Sequence, residues 1–310
     1  ILFFLALKTF LYDQLEQGSR LRSISYRGRY APSPTGPLHL GNLRTALVSW
    51  LQARVHKGTW FLRIDDLDIP RNKLGSVDQF KKDLQWLGLD WDGPLIFQSH
   101  RRGLYRRALS MLRRRNALYA CRCTRKELSN NNVHVRNTNL IYPGTCRKLD
   151  LSWNFYKGRL PCLRLKVGEE FSKTSGDIIL RRSDGIIAYN LATVVDDLTM
   201  GITEVIRGED LFDSLPSQLA IIREFTSTEL SYNHVPLVYD QDGKKLSKRD
   251  GSKGLEHLKM KGITPAEIIG NFASSLGILP SGAKISAAEL LSEMTRIKNP
   301  LSTLFMRTYE

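Results

Sequence analysis

Long hydrophobic runs and cysteines are both scarce in this sequence of 310 residues. The apolar run in "ILFFLALKTFLYDQL" spans about twelve residues, short of the ~20 that a helix needs to cross a bilayer. No basic residue precedes this run and no small-residue cleavage site follows it, so we expect neither a secretory signal nor a membrane anchor. Four cysteines are too few for a disulfide-stapled secreted domain, and they indicate a reducing, cytoplasmic location.

Acidic residues are also in short supply, with 31 Asp and Glu against 46 Lys and Arg, which gives a net charge of +15. Such an excess favours a polyanionic partner such as a nucleic acid. The stretch "HRRGLYRRALSMLRRRN" at 100–116 carries seven arginines and no acid. Its pattern is compatible with a solvated helix face and with a face that contacts phosphates.

The order of hydrophobic patterns predicts an α/β fold. A strand at 27–31, a Pro/Gly turn, a helix at 40–58 and a strand at 59–68 form a βαβ unit, which requires a parallel sheet. Ligands of such sheets lie beyond the carboxyl ends of the strands. Further helices are predicted at 75–87, 99–116, 215–225 and from 264, and further strands at 162–167, after 177 and at 234–240.

Two separated segments have the composition of phosphate-binding sites. In "APSPTGPLHLGN" at 31–42, helix amides, His39 and the close approach permitted by Gly41 suit an anion. Taken alone, that segment favours a tight turn with a partly buried capping histidine. The loop "DGKKLSKRDGSKG" at 242–254 is basic and glycine-flanked, which suits a mobile cover over a triphosphate as well as a solvated loop. Their joint presence favours nucleotide chemistry.

These segments resemble two signature motifs of class I aminoacyl-tRNA synthetases. "HLGN" at 39–42 is similar to the HIGH motif and "KLSKR" at 245–249 to the KMSKS motif. "GRYAPSPTGPLHLGNLRTAL", "RIDDLD", "AYNLATVVDD" and "VIRGEDL" resemble the glutamate-specific branch. The resemblance implies a Rossmann-like catalytic domain that activates L-glutamate with ATP and Mg²⁺ and passes the glutamate to RNA.

The resemblance also assigns site residues. The catalytic residues are His39, Lys245 and Lys248, and the ATP-binding residues are these three with Gly41, Asn42 and Ser247. The glutamate-binding residues are Arg29, Ser33, Asp65, Tyr189 and Arg207. Asp65 stands where the family has Glu for the substrate ammonium, with Asp66 as a substitute; the alternative is a local ion pair with Arg63.

A cysteine-bearing segment predicts a metal site. "YACRCT" and "IYPGTCR" supply Cys121, Cys123, Tyr142 and Cys146, enough for a tetrahedral shell. The residues alone leave zinc open, because tyrosine is an uncommon ligand. The same arrangement in short paralogues of glutamyl-tRNA synthetase implies one structural Zn²⁺. Cys162 lies in an apolar strand and is predicted to be a core residue.

The same short paralogues set the expected acceptor. Only 61 residues follow Arg249, which we expect to be too few for a helical anticodon-binding domain. The resemblance implies transfer of glutamate to queuosine at the wobble position of tRNA(Asp), with the anticodon loop read by a monomer. Thr193, where full-length enzymes tend to carry Asn, favours the short form. The arginines of 101–115 are RNA-contact candidates.

Three alternatives remain. A truncated glutamyl-tRNA synthetase that charges the 3′ end of tRNA(Glu) is kept open by Arg249. A non-catalytic RNA-binding paralogue would have no need of His39, Lys245 and Lys248 together. A small-molecule adenylating ligase would have no evident use for the +15 charge or for the set Arg29, Tyr189 and Arg207.

The expected organisation is one α/β body with an insertion. Residues 26–118 and 166–260 are the two halves of the catalytic domain, the second with the KMSKS-like loop. Residues 119–165 form the zinc-binding insertion and 261–310 a helical tail. Residues 1–25 are an N-terminal extension for which no order is expected.

Overall fold

The computed structural model describes residues 2–130, 135–136, 139–227, 230–237 and 255–296. They fall into two compact units. The first unit comprises Ile1–Ser19, His100–Met200 and Ser214–Glu229, and the second unit comprises Arg20–Ser99, Gly201–Asp213 and Leu230–Glu310. Within the described residues, no helix combines the length and apolar character that crossing a bilayer demands.

The strands of the described residues are β1 Arg27–Tyr30, β2 Thr59–Ile64, β3 Ile96–Phe97, β4 Leu118–Cys121, β5 Val135–Arg136, β6 Asn139–Leu140, β7 Cys162–Leu165, β8 Ile178–Arg181, β9 Glu204–Gly208 and β10 Ser231–Val235. The helices are α1 Leu2–Ile24, α2 Leu40–Val55, α3 Ser76–Trp86, α4 Arg102–Arg114, α5 Arg125–Asn130, α6 Glu169–Ser175, α7 Tyr189–Thr199, α8 Leu215–Arg223, α9 Leu255–Met260, α10 Pro265–Ser275 and α11 Ala287–Arg296.

The second unit contains the predicted parallel sheet. β1 pairs with β2 and β2 with β3, while β9 pairs with β10, all in parallel. β9 runs beside β1, where the amide of Thr203 donates to the carbonyl of Arg27 at 2.9 Å. The spatial order is therefore β3-β2-β1-β9-β10. Successive strands follow one direction from β1 to β3 and the opposite direction from β9 to β10, so the strand order reverses between β1 and β9. Parallel sheets bind ligands at this kind of reversal, beyond the carboxyl ends.

Helix α2 packs against this sheet. Leu43, Leu47 and Leu51 recur every four residues and are fully buried, which places one face of the helix in the core. Trp60 of β2 and Phe80 of α3 are buried in the same core. Each such side chain contributes about 2 kcal/mol by removal from water. The core therefore holds the start of α2 firmly against the strand ends.

The first unit is built differently, around the antiparallel sheet β4-β7-β8. Helices α4 and α7 meet at the fully buried Asp196, which accepts hydrogen bonds from Arg101 at 2.6 Å and from the hydroxyl of Tyr105 at 2.8 Å. Gly18 of α1 lies against the carbonyl of Leu198, where a Cβ would have no room. This antiparallel sheet was not predicted from the sequence.

Two other predictions differ from the structure. Residues 2–24 form α1, where the sequence provided no expected order. The strand predicted at 234–240 occurs at Ser231–Val235, because Pro236 has no amide hydrogen to continue the ladder. Residues 238–254, which include the KMSKS-like loop, lie outside the described residues.

Candidate active site

His39 occupies the N-cap of α2, just beyond the carboxyl end of β1. Its Nδ1 accepts a hydrogen bond from the amide of Asn42 at 3.2 Å, and its own amide donates to the side-chain oxygen of Asn42 at 3.4 Å. An acceptor Nδ1 makes Nε2 the protonated nitrogen of a neutral ring. His39 is thus a helix-capping histidine, as the first interpretation of the turn predicted. Because Nδ1 makes the cap, Nε2 is the nitrogen that donates a hydrogen bond.

Two further ATP-site candidates, Gly41 and Asn42, lie at the start of α2. Gly41 lies in the first turn of α2, where its carbonyl accepts from the hydroxyl of Thr45 at 3.0 Å. The side-chain oxygen of Asn42 takes part in the capping box. The positive end of a helix dipole favours an anion at this place. Lys245, Ser247 and Lys248 lie outside the described residues.

Two arginines predicted to bind glutamate lie on the neighbouring strands β1 and β9. Arg29 and Arg207 are almost completely buried. The Nη1 of Arg29 lies 3.5 Å from the carbonyl oxygen of Ile206, the residue before Arg207. The guanidinium of Arg207 lies 5.2 Å from the centre of the Tyr232 ring. The fold therefore brings both cations to the reversal point of the sheet, where a carboxylate would find two matching partners.

His234, which the sequence analysis did not single out, contacts one of the candidate arginines. Its Nε2 accepts a hydrogen bond from Nε of Arg207 at 3.0 Å, and the ring of Phe212 meets it edge-on at 5.2 Å. Burial, and then the charge of Arg207, lowers the pKa of His234 from 6.5 to about 4. The neutral ring can therefore hold Arg207 at neutral pH. Its only sequence signal is a histidine at the end of an apolar strand.

Asp65 follows β2 but is already paired. Its Oδ1 lies 2.8 Å from Nε of Arg63, and both side chains are buried. Asp66 accepts from the amide and the hydroxyl of Ser99 at 2.8 and 2.6 Å. The local ion pair weighed from the sequence is therefore present, and both acids have protein partners. Ser33 is exposed beyond β1.

Tyr189 belongs to the first unit and opens α7, with 38% of its surface exposed. Thr193, one turn later, is fully buried, and its hydroxyl has no hydrogen-bond partner among the described residues. The Asn that full-length enzymes tend to carry at this position has a larger side chain than Thr193, which is already fully buried. The structure thus accommodates the small residue that the sequence carries.

The cysteine cluster forms as the spacing predicts. The sulfur atoms of Cys121, Cys123 and Cys146 lie within 4.8 Å of one another. The hydroxyl of Tyr142 lies 3.4 Å from Cys121 and 3.9 Å from Cys123, and the sulfurs of Cys123 and Cys146 are 3.5 Å apart. Sulfur ligands of tetrahedral zinc, at about 2.3 Å from the metal, are separated by roughly 3.8 Å. This donor set therefore fits a zinc ion.

The protein holds the cluster from several sides. The amide of Cys146 donates to the Tyr142 hydroxyl at 2.8 Å, and the guanidinium of Arg164 lies 3.7 Å from the centre of the Tyr142 ring. Burial, with Cys121 close by, raises the pKa of Cys123 to about 12. A bound cation reverses such a penalty by stabilising thiolates. Cys162 lies opposite Cys121 in the sheet and is half-buried.

Comparison with known proteins places the chain in a family. Residues 25–304 match the family described as tRNA synthetases class I (E and Q), catalytic domain. A relative from Prochlorococcus marinus (strain MIT 9303), named glutamyl-Q tRNA(Asp) synthetase, is 56% identical over 95% of this chain and 96% of its own length. A relative of the same name from Parasynechococcus marenigrum (strain WH8102) is 51% identical over 91% of this chain and 94% of its own.

A solved structure agrees in fold. The crystal structure of a glutamate tRNA ligase from Elizabethkingia meningosepticum, in complex with its amino acid, superimposes with a TM-score of 0.72 at 28% identity. The match covers 86% of this chain and 64% of the ligase, so this chain spans less than two thirds of that protein. On the extent of these matches, the chain belongs to the family of class I tRNA synthetase catalytic domains for glutamate and glutamine.

Proposed function

We propose that this protein activates L-glutamate with ATP to glutamyl-adenylate and transfers the glutamate to queuosine at the wobble position of tRNA(Asp). The observation that carries the proposal is the 56% identity, over nearly the full length of both chains, to a protein named for that reaction. The three clustered sulfurs of Cys121, Cys123 and Cys146 support it, because the family resemblance implies such a cluster for the short paralogues. Two sequence-based expectations, the cytoplasmic location and the monomeric state, remain predictions.

Several residues of the second unit would take part in this reaction. Attack of a carboxylate on the α-phosphate depends mainly on positioning and on charge stabilisation. Arg207 and Arg29 would hold the side-chain carboxylate of glutamate, and His234 would keep Arg207 in place. The Nε2 proton of His39 and the start of α2 would face the phosphates. Mg²⁺ bound with ATP would neutralise further phosphate charge.

Other assignments remain proposals from the family resemblance. Lys245 and Lys248, with Ser247, would cover the leaving pyrophosphate. Asp65 would contact the substrate ammonium while Arg63 holds the orientation of its carboxylate. Ser33 and Tyr189 would also contact glutamate, and Gly41 and Asn42 would contact ATP.

We also propose that Cys121, Cys123, Tyr142 and Cys146 hold one structural Zn²⁺. Elemental analysis should find about one zinc per chain in the wild type and in Cys162→Ser, which alters a cysteine outside the set. Cys121→Ser and Cys146→Ser should lose the metal and unfold at lower temperature. Full zinc content in either of these two variants would remove the cluster as the metal site.

The acceptor is tested directly. Glutamate-dependent exchange between ATP and pyrophosphate should proceed without RNA, and its absence from zinc-loaded protein would refute the enzymatic proposal. Radiolabelled glutamate should then enter tRNA(Asp) that carries queuosine, and should not enter the matched tRNA(Asp) with guanosine at the wobble position. Labelling of tRNA(Glu) to an equal extent would favour the truncated glutamyl-tRNA synthetase.

A further inference from the structure

A pocket on the first unit lies outside all the residues assigned so far. Its volume is about 360 Å³, at the lower end of the range for small-ligand sites. We call it the basic pocket, because its charged lining residues are four cations and one acid: Arg113, Arg147, Lys148, Lys166 and Asp150.

Most of this positive charge is not neutralised by the protein. Arg147 pairs with the buried Asp177 at 2.8 Å, and Lys166 donates to the uncharged side chain of Asn116 at 3.1 Å. Arg113 and Lys148 form no ion pair with a carboxylate within the described part of the chain. A polyanion entering the basic pocket would therefore meet cations that have not been compensated.

The basic pocket also carries a flat, partly apolar surface. The guanidinium of Arg113 lies 4.3 Å from the centre of the Trp153 ring, and both residues line the pocket. This contact orders the arginine without removing its charge. Aromatic rings and arginine planes are the surfaces on which unstacked nucleobases bind. A purely acidic peptide would use the cations and leave this stacking surface without a role.

The wall of the basic pocket is continuous with the cysteine cluster. Arg147 and Lys148 directly follow Cys146, and Leu118–Cys121 forms β4, whose residues line the pocket up to Ala120. Because the buried Cys146 is anchored by its hydrogen bond to Tyr142, the two cations after it start from a fixed point. The cluster thus gives the basic pocket a rigid side.

We propose that the basic pocket binds one unstacked nucleotide of the RNA substrate, with its base on Arg113 and Trp153 and its phosphates at Lys148 and Lys166. This inference rests on the proposed function for the identity of the RNA. It adds a second contact to that RNA beyond the nucleotide that receives glutamate.

The test compares Lys148→Gln and Trp153→Leu with Lys173→Gln, which removes an exposed cation of α6 outside the basic pocket. Binding of queuosine-containing tRNA(Asp) is measured by fluorescence anisotropy at several salt concentrations. Lys148→Gln should weaken binding and reduce the log–log salt slope by about 0.7 to 1. Trp153→Leu should weaken binding roughly 5- to 150-fold. Lys173→Gln should stay within about twofold of wild type, as expected of a cation that contacts no phosphate.

Each contrary result has one meaning. Wild-type affinity in both pocket variants, or an equal loss in Lys173→Gln, would overturn the proposal. If poly-glutamate competes as well as RNA of equal charge and Trp153→Leu has no effect, the basic pocket binds an acidic peptide instead. Pyrophosphate exchange reports whether each variant retains a folded active site. Failure of the wild type to label tRNA(Asp) would count against the proposed function alone, because anisotropy needs no transfer.

Discussion

Burial determines the protonation state in which His234 contacts Arg207. A charged imidazole next to Arg207 would place two cations in a buried site, so the neutral ring that accepts from Nε of Arg207 is favoured. That hydrogen bond fixes the guanidinium by its inner nitrogen. The two Nη atoms of Arg207 are therefore oriented before substrate arrives. This reduces the conformational entropy that Arg207 loses when glutamate binds.

Replacing His234 should impair the use of glutamate. We expect His234→Leu to lower kcat/KM for glutamate roughly 10- to 100-fold, because a hydrogen bond to a charged group is lost. His234→Gln should recover part of the loss, since an amide oxygen can accept from Arg207. Pyrophosphate exchange at varied glutamate concentration measures the effect, with KM for ATP as the control. An unchanged kcat/KM for glutamate in His234→Leu would contradict this role.

The pKa of His234 also predicts a pH dependence of stability. The pKa is lowered from 6.5 to about 4 in the folded protein, so the unfolded chain binds more protons between these values. The free energy of unfolding should therefore fall as the pH drops from about 6.5 to about 4, by at most about 3 kcal/mol from this group. Urea unfolding at several pH values tests it, and His234→Gln should show a shallower fall. Equal slopes would assign the dependence to other groups.

At the scale of elements, one close contact within the first unit joins the end of α6 to the segment that carries Tyr142. Gly176, after α6, has a φ of +73°, and a Cβ there would lie 2.6 Å from the backbone nitrogen of Tyr142. Both the left-handed conformation and the lack of space require glycine. The turn between α6 and β8 therefore fixes the segment that carries Tyr142.

Gly176→Ala and Gly158→Ala form a matched pair for this contact. Gly158 also has a positive φ, +76°, but a Cβ at this position would have no other atom within 4 Å. Gly158→Ala should cost about 1 kcal/mol of backbone strain, and Gly176→Ala at least about 2 kcal/mol, because a steric clash is added. Denaturant unfolding of the zinc-loaded protein measures both. Equal losses would show that the contact with Tyr142 yields without cost.

At the scale of the whole molecule, we expect the charge of +15 to act far more on the RNA step than on activation. With about four phosphate contacts, a fourfold rise in salt should weaken binding of RNA roughly 50-fold. Pyrophosphate exchange involves no RNA and should change far less. Kinetics of both reactions across a salt series provide the measurement. A parallel decline of both would mean that salt acts on the active site or on stability.

Much of the fold was predictable because it is encoded locally. The Pro/Gly turn, the start of α2 at Leu40 and the βαβ unit follow from turn residues and hydrophobic spacing. The antiparallel sheet β4-β7-β8 was missed as a unit, although strands at 162–167 and after 177 were predicted, because β4 has only four residues and pairs with β7 more than forty positions along the chain. The order of β1 and β9 likewise depends on partners about 176 residues apart.

The sequence by itself determined the composition, the local elements and the candidate residues, including the Cys-x-Cys and Tyr-x-x-x-Cys spacing whose members meet. Only the tertiary structure decided that Arg63 pairs with Asp65, that His234 holds Arg207, and that Arg113 stacks on Trp153 beside uncompensated cations. The physical reason is that local propensity acts over a few residues. Which charged side chains become buried, and which partners they meet there, depends on how distant parts of the chain pack together.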